Sequence, residues 1–239
     1  MKKLILTSAL LALTAGAAMA DTVRMGTEGA YPPFNFINDK GEVDGFEREL
    51  GDTLCKNAGL TCEWVTNDWD SIIPNLVSSN YDTIMAGMSI TDERKQVVSF
   101  TQNYIPPADS RYLALSADAD IKGVVAAQTG TIQADYVAKS GATLAEFPTL
   151  DDTIAAVKNG EADAVFADLD ALTAFESESG GALVWVADPV QLGDGVGMAL
   201  RQSDTALRET FDAEITKLKA DGSLNTMITK WFGPDAKTF

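Results

Sequence analysis

No histidine occurs anywhere in the 239 residues. A Ser-His-Asp triad and a His-ligated zinc site are therefore impossible. Basic residues are scarce as well: 18 Lys and Arg stand against 35 Asp and Glu, a formal charge of −17. Such a chain repels polyanions, which excludes nucleic acid and anionic membrane as natural partners. Low-complexity segments, internal repeats and Pro- or Ser-rich linkers are missing too, so nothing in the sequence separates independently folding domains. No metal or cofactor is expected. What is present points to a packed protein. Hydrophobic residues make up 46%, with 10 Phe, 4 Trp and 5 Tyr, which argues against disorder.

Residues 1–20 read as a signal peptide rather than as part of the fold. Lys2 and Lys3 form a charged start, Leu4 to Ala18 is apolar or small apart from Thr7, Ser8 and Thr14, and Ala18-Met19-Ala20 has the small-x-small form of a cleavage site. A membrane anchor is the competing reading, but the stretch is short and no apolar continuation follows Asp21. No Cys stands at the cleavage point, as a lipoprotein would need. Without the two leader lysines the balance is 16 basic residues against 35 acidic, or −19.

Export bears on the two cysteines, Cys55 and Cys62. An oxidising compartment favours a disulfide between them, and Gly59 between them is a natural helix stop that lets the chain fold back. Two free buried thiols are the alternative. A bridge over so short a loop stabilises by roughly 2–3 kcal/mol in the chain-entropy model.

The mature chain alternates short strands and helices, an α/β pattern. Thr22–Thr27, Glu63–Val65, Thr83–Ala86, Val97–Thr101 and Arg111–Ser116 read as extended. Phe46, Leu50, Leu54 and Ala58 recur every four residues and predict a helix. Ser71–Ser79 predicts another, with Ile72, Ile73, Leu76 and Val77 on one face. A second unit starts near Ser116, with strands at Lys122–Gln128, Ala164–Ala167 and Leu183–Val186. Its helices run from about Ile132 and over Thr149–Asn159. After the glycine-rich Gly193–Gly197 and the extended Met198–Leu200, Leu207, Phe211, Ile215 and Leu218 form a helical stripe. Ser223 is expected to cap a last short helix.

Ligands in open α/β sheets bind beyond the carboxyl ends of strands. The polar residues at those ends are Glu28, Ser89, Arg94, Gly130, Thr131, Gln133 and Asp168. One Arg, two carboxylates and backbone N–H groups at helix starts suit a zwitterion, with Arg94 for a carboxylate and an acid for an ammonium. Generic surface charge is the bland alternative.

Longer motifs narrow this reading. Val43-Asp44-Gly45-Phe46 before a helix, the run Ala86-Gly87-Met88-Ser89-Ile90-Thr91-Asp92-Glu93-Arg94, Ser99-Phe100-Thr101, Ala108-Asp109-Ser110-Arg111, Gly130-Thr131 with Gln133, Gly160 through Asp163 to Asp168, Gly197–Arg201 and Lys219–Gly222 together cover nearly the whole mature chain. In these the sequence resembles the polar amino-acid solute-binding proteins of ABC importers, family 3. The Cys55/Cys62 pair resembles the disulfide of the lysine/arginine/ornithine- and histidine-binding branch.

The resemblance implies a two-lobed, type II periplasmic-binding-protein fold. Lobe 1 is expected over 22–111 and 202–239 and lobe 2 over 116–197, with hinge strands near Arg111–Leu115 and Gly197–Arg201. It implies a monomeric binding protein, not an enzyme, in the periplasm of a Gram-negative bacterium. Such a protein hands an amino acid to a membrane ABC permease. By the same resemblance Arg94 holds the ligand α-carboxylate with the Ser89 and Ile132 N–H groups. Asp168 pairs with the α-ammonium, helped by the Ser89 hydroxyl and the Gly87 carbonyl. Glu28 lies at the side-chain end, Tyr31 and Trp69 sandwich the ligand stem, and Gln133 adds a hydrogen bond; Ala86 and Gly130 complete the set. The sequence departs from the basic-ligand branch at three positions. Ile132 replaces a threonine, Gln128 an apolar residue, and Glu28 a shorter aspartate. Charge balance favours a basic ligand, because Glu28 is left over once Arg94 and Asp168 are matched. A neutral polar amino acid, or a cyclohexadienyl dehydratase-like enzyme on the same fold, are the alternatives.

Overall fold

The computed structural model describes residues 22–239; the expected leader lies outside them. The chain opens with β1 (Val23–Thr27), whose Met25, Gly26 and Thr27 are buried. Three short strands follow, β2 (Ala30–Tyr31), β3 (Asn35–Ile37) and β4 (Val43–Asp44), and form a small antiparallel sheet of their own. Then come α1 (Phe46–Ala58), β5 (Cys62–Thr66), a single 3-10 turn at Trp69–Ser71, α2 (Ile72–Val77), β6 (Thr83–Ile84), a second such turn at Arg94–Gln96, and β7 (Val98–Ile105). Next are β8 (Asp109–Ala114), β9 (Val124–Gln128), α3 (Ile132–Ser140), β10 (Thr143–Phe147), α4 (Leu150–Lys158), β11 (Ala164–Asp168), α5 (Leu169–Glu178) and β12 (Val184–Gln191). The chain ends with β13 (Val196–Arg201), α6 (Thr205–Ala220) and α7 (Ser223–Phe232).

Two five-stranded sheets organise the molecule, in the orders β5-β1-β6-β13-β7 and β10-β9-β11-β8-β12. Each has the same plan. Three parallel strands lie on one side, and the strand that returns from the other segment runs antiparallel beside them. The fold is the expected two-lobed α/β one. The chain passes between the sheets twice, between Ile105 and Asp109 and again between Gln191 and Val196. Both crossings therefore precede the expected hinge strands. Arg111–Ala114 is already inside the second sheet, and Gly197–Arg201 is inside the first.

Helix α1 forms as its four-residue repeat requires, and Phe46, Leu50 and Leu54 are fully buried. Its start needs Gly45 at φ 115°, because a Cβ there would lie 2.6 Å from the Phe34 carbonyl oxygen. Its end is the left-handed Gly59. The chain then turns into β5, and Cys55 and Cys62 are joined, with Cα atoms 6.2 Å apart. Helices α6 and α7 pack against α1, burying Phe211, Ile215, Leu224 and Ile228.

Several local expectations change. Val77 is 49% exposed, so the inward face of α2 is Ile72 and Leu76, with Ile73 half-buried beside them. Gly222, at φ 78°, is the cap of α7, and Ser223 is its first helical residue, its hydroxyl bonded to Asp221. Strand β12 runs past Val186 to Gln191 through a bulge.

Candidate functional site

The loops at the carboxyl ends of β1, β6, β9 and β11 converge on one cavity between the two sheets. Its lining contains Glu28, Tyr31, Trp69, Ala86, Gly87, Ser89, Arg94, Ile132, Gln133 and Asp168. Of the residues picked out from sequence only Gly130 is outside, and its carbonyl oxygen accepts from Arg94 Nη2 at 3.3 Å. Gln128 and Thr131 also line the cavity.

Arg94 begins the second 3-10 turn, with its N–H donating to the Thr91 hydroxyl. Its Nη1 donates to the Ser89 carbonyl at 2.8 Å, and its Cζ lies 5.3 Å from the centre of the Trp69 ring. Trp69 thus faces a cation from the protein itself. No carboxylate among the described residues forms an ion pair with Arg94. Burial pulls its guanidinium down to about 10, against the pull of Asp168.

Close by, Ile132 and Gln133 open α3, where backbone N–H groups have no intrahelical acceptor. Thr131 caps that helix by accepting from the Ala134 N–H, and its own hydroxyl donates to the Gln128 carbonyl. The positive end of α3 and Arg94 make one anion-seeking corner.

Two carboxylates occupy the rest of the cavity wall. Asp168 ends β11 and accepts from the Tyr31 hydroxyl at 2.7 Å and from Gln133 Nε2 at 2.8 Å. Gln133 spends its second amide hydrogen on the Ser110 hydroxyl. Burial raises Asp168 to about 6. Glu28 follows β1 and accepts from Gln128 Nε2 at 2.6 Å. Burial raises it to about 7, with Glu47 and Asp68 adding to the rise. Two desolvated carboxylates seek cations, and the arginine seeks an anion.

Below the site lies a buried support that sequence reading missed. Glu47, in the first turn of α1, accepts from the Gly87 N–H at 2.8 Å, from Asn35 Nδ2 at 2.7 Å and from the Tyr104 hydroxyl. It fixes Gly87, whose φ of 62° brings the backbone against the Tyr31 ring. Only an acid on the buried face of an amphipathic helix hinted at this.

Residues 23–234 match the family model described as bacterial extracellular solute-binding proteins, family 3. The chain is 32% identical over 243 residues to ABC transporter arginine-binding protein 1 of Escherichia coli (strain K12), covering 97% of this chain and 99% of that protein. It is also 32% identical over 254 residues to the lysine/arginine/ornithine-binding periplasmic protein of the same organism, covering 97% of each. Among solved structures, a periplasmic His/Glu/Gln/Arg/opine family-binding protein from Silicibacter pomeroyi in complex with lysine is 72% identical. It superposes with a TM-score of 0.90 over 91% of this chain and 100% of that one. A match over nearly every described residue, with the same two-lobed fold, leads to one conclusion: the chain belongs to family 3 of the bacterial extracellular solute-binding proteins.

Proposed function

We propose that this protein captures a basic amino acid between its two lobes in the periplasm and passes it, as a monomer, to an ABC permease. Residues 1–20 direct export and are then removed. The lobes divide at the two crossings, 105–109 and 191–196. The carrying observation is the charge arrangement of the cavity: one arginine, without an acidic partner among the described residues, shares the lining with two buried carboxylates raised to about 6 and about 7. An α-amino acid supplies a carboxylate for Arg94 and the start of α3, and an ammonium for Asp168. Glu28 then needs a second cation, which a basic side chain provides. Relatives named as arginine- and lysine-binding proteins support this reading.

The test is calorimetry on protein stripped of ligand by unfolding and refolding. Arginine, lysine, ornithine and histidine are titrated alongside glutamine and glutamate. A basic amino acid binds tightest, with one site per chain. Tightest binding of glutamate or glutamine overturns the reading.

A further inference from the structure

We propose that Gln128 is the positioning residue that tunes this site to cationic side chains: reaching from the second lobe, its amide holds Glu28 as the carboxylate that receives them. This rests on the functional reading above. Gln128 ends β9 and is 5% exposed. Its Nε2 donates twice, to Glu28 Oε1 at 2.6 Å and to the Pro148 carbonyl at 2.9 Å. The Pro148 carbonyl can only accept, so the amide has one possible orientation. Its own oxygen receives no donor among the described residues, and neither does the second oxygen of Glu28. The wall here therefore offers two acceptors from opposite lobes. A guanidinium or ammonium brings only N–H donors to such a pair. A neutral amide side chain also brings a carbonyl, which meets acceptors and gains nothing.

The groups that face Glu28 from neighbouring elements are Glu47 of α1, Asp68 before the first 3-10 turn, the Tyr31 hydroxyl and Gln128. The two acids work against an ionised Glu28. Of these four groups, only Gln128 donates a hydrogen bond to it. An apolar residue at 128 leaves Glu28 among like charges, and it takes up a proton at neutral pH.

Binding of arginine and of glutamine is measured by calorimetry at pH 8 and pH 6.5, on wild type, Gln128→Met and Gln128→Leu. Methionine keeps the length of the side chain without the amide. With Glu28 at about 7 and Asp168 at about 6, arginine affinity of the wild type falls about fivefold between the two pH values. In both variants that fall exceeds roughly tenfold, while glutamine, which uses Asp168 but not the charge of Glu28, shows the same pH dependence in all three proteins. A circular-dichroism spectrum and melting transition like those of the wild type show that the variants are folded. An arginine pH profile in Gln128→Met or Gln128→Leu equal to that of the wild type overturns the inference alone. A wild type that binds no basic amino acid at pH 8 overturns the functional reading and the inference with it.

Discussion

The hydroxyl of Tyr31 donates to Asp168 Oδ2 over 2.7 Å, tying the small three-stranded sheet to the end of β11. The two residues lie 137 positions apart in sequence. Burial, with Asp168 beside it, holds the phenol proton firmly in place. With Gln133 on its other oxygen, the Asp168 carboxylate has a fixed plane before any ligand meets it. Such pre-orientation lowers the ordering cost of binding.

Tyr31→Phe removes one of the two donors to a buried carboxylate, a loss of roughly 1–3 kcal/mol. Because Asp168 serves the ligand ammonium in our reading, affinity falls about equally for arginine and glutamine. Calorimetry with both ligands checks this, and a loss confined to one of them counts against it.

Arg94→Ala deletes the one guanidinium in the cavity lining. Truncating the partner of a desolvated carboxylate costs roughly 2–5 kcal/mol, so affinity for every amino acid falls by about 30-fold to 5,000-fold. Near wild-type affinity in the variant means that the cavity has been misassigned. The Trp69 ring, now facing Arg94, also loses its cation, and its fluorescence reports the change directly.

Glu28→Gln is selective. A neutral side chain of the same shape removes the charge that matches a basic head but leaves the α-carboxylate and ammonium contacts alone. Arginine or lysine affinity falls by more than glutamine affinity, read in a competition series at pH 7.5. Equal losses rule out a side-chain role for Glu28.

Acidity stabilises the free protein and erodes the extra stability that a ligand adds. Glu28 and Asp168 both have folded-state values above their ordinary range, about 7 and about 6, because burial disfavours the charged forms. The proton-bound forms suit the free fold, so this contribution is complete below about pH 4 and is lost as pH rises through 6 and 7. For Glu28 it amounts to about 3 kcal/mol. The melting temperature of ligand-stripped protein therefore rises as pH is lowered from 8 to 5. The extra stabilisation from saturating arginine shrinks over the same window, since binding needs both carboxylates ionised. Thermal melts across that range decide the matter, and a free protein that loses stability on acidification to pH 5 contradicts it.

Most of the site was legible because its residues sit in runs next to glycines at strand ends: Ala86 to Arg94, Gly130 to Gln133, and Asp168 after four buried residues. What stayed hidden has physical reasons. Thr143–Phe147 forms β10 on the edge of its sheet, with no residue fully buried, so apolar patterning barely marks it. Helix α5 begins immediately after β11, with Asp168 as its cap residue and no loop between. A strand that runs straight into a helix gives no turn signal. The function of Glu47 was invisible for another reason: its partners Asn35, Gly87 and Tyr104 come from three separate segments, which only the folded chain brings together.

The place of β13 bears on how the chain assembles as it emerges. In the first sheet β13 lies between β6 and β7, and β7 has no other neighbour there. Every strand of the second sheet is made before residue 196, so that sheet can close from one continuous stretch. The first cannot: until the last quarter of the chain appears, β7 has no strand to pair with and its N–H and C=O groups stay open. Its contacts are thus the long-range kind that form slowly. Whatever holds the chain before it folds must shield that lone edge longest.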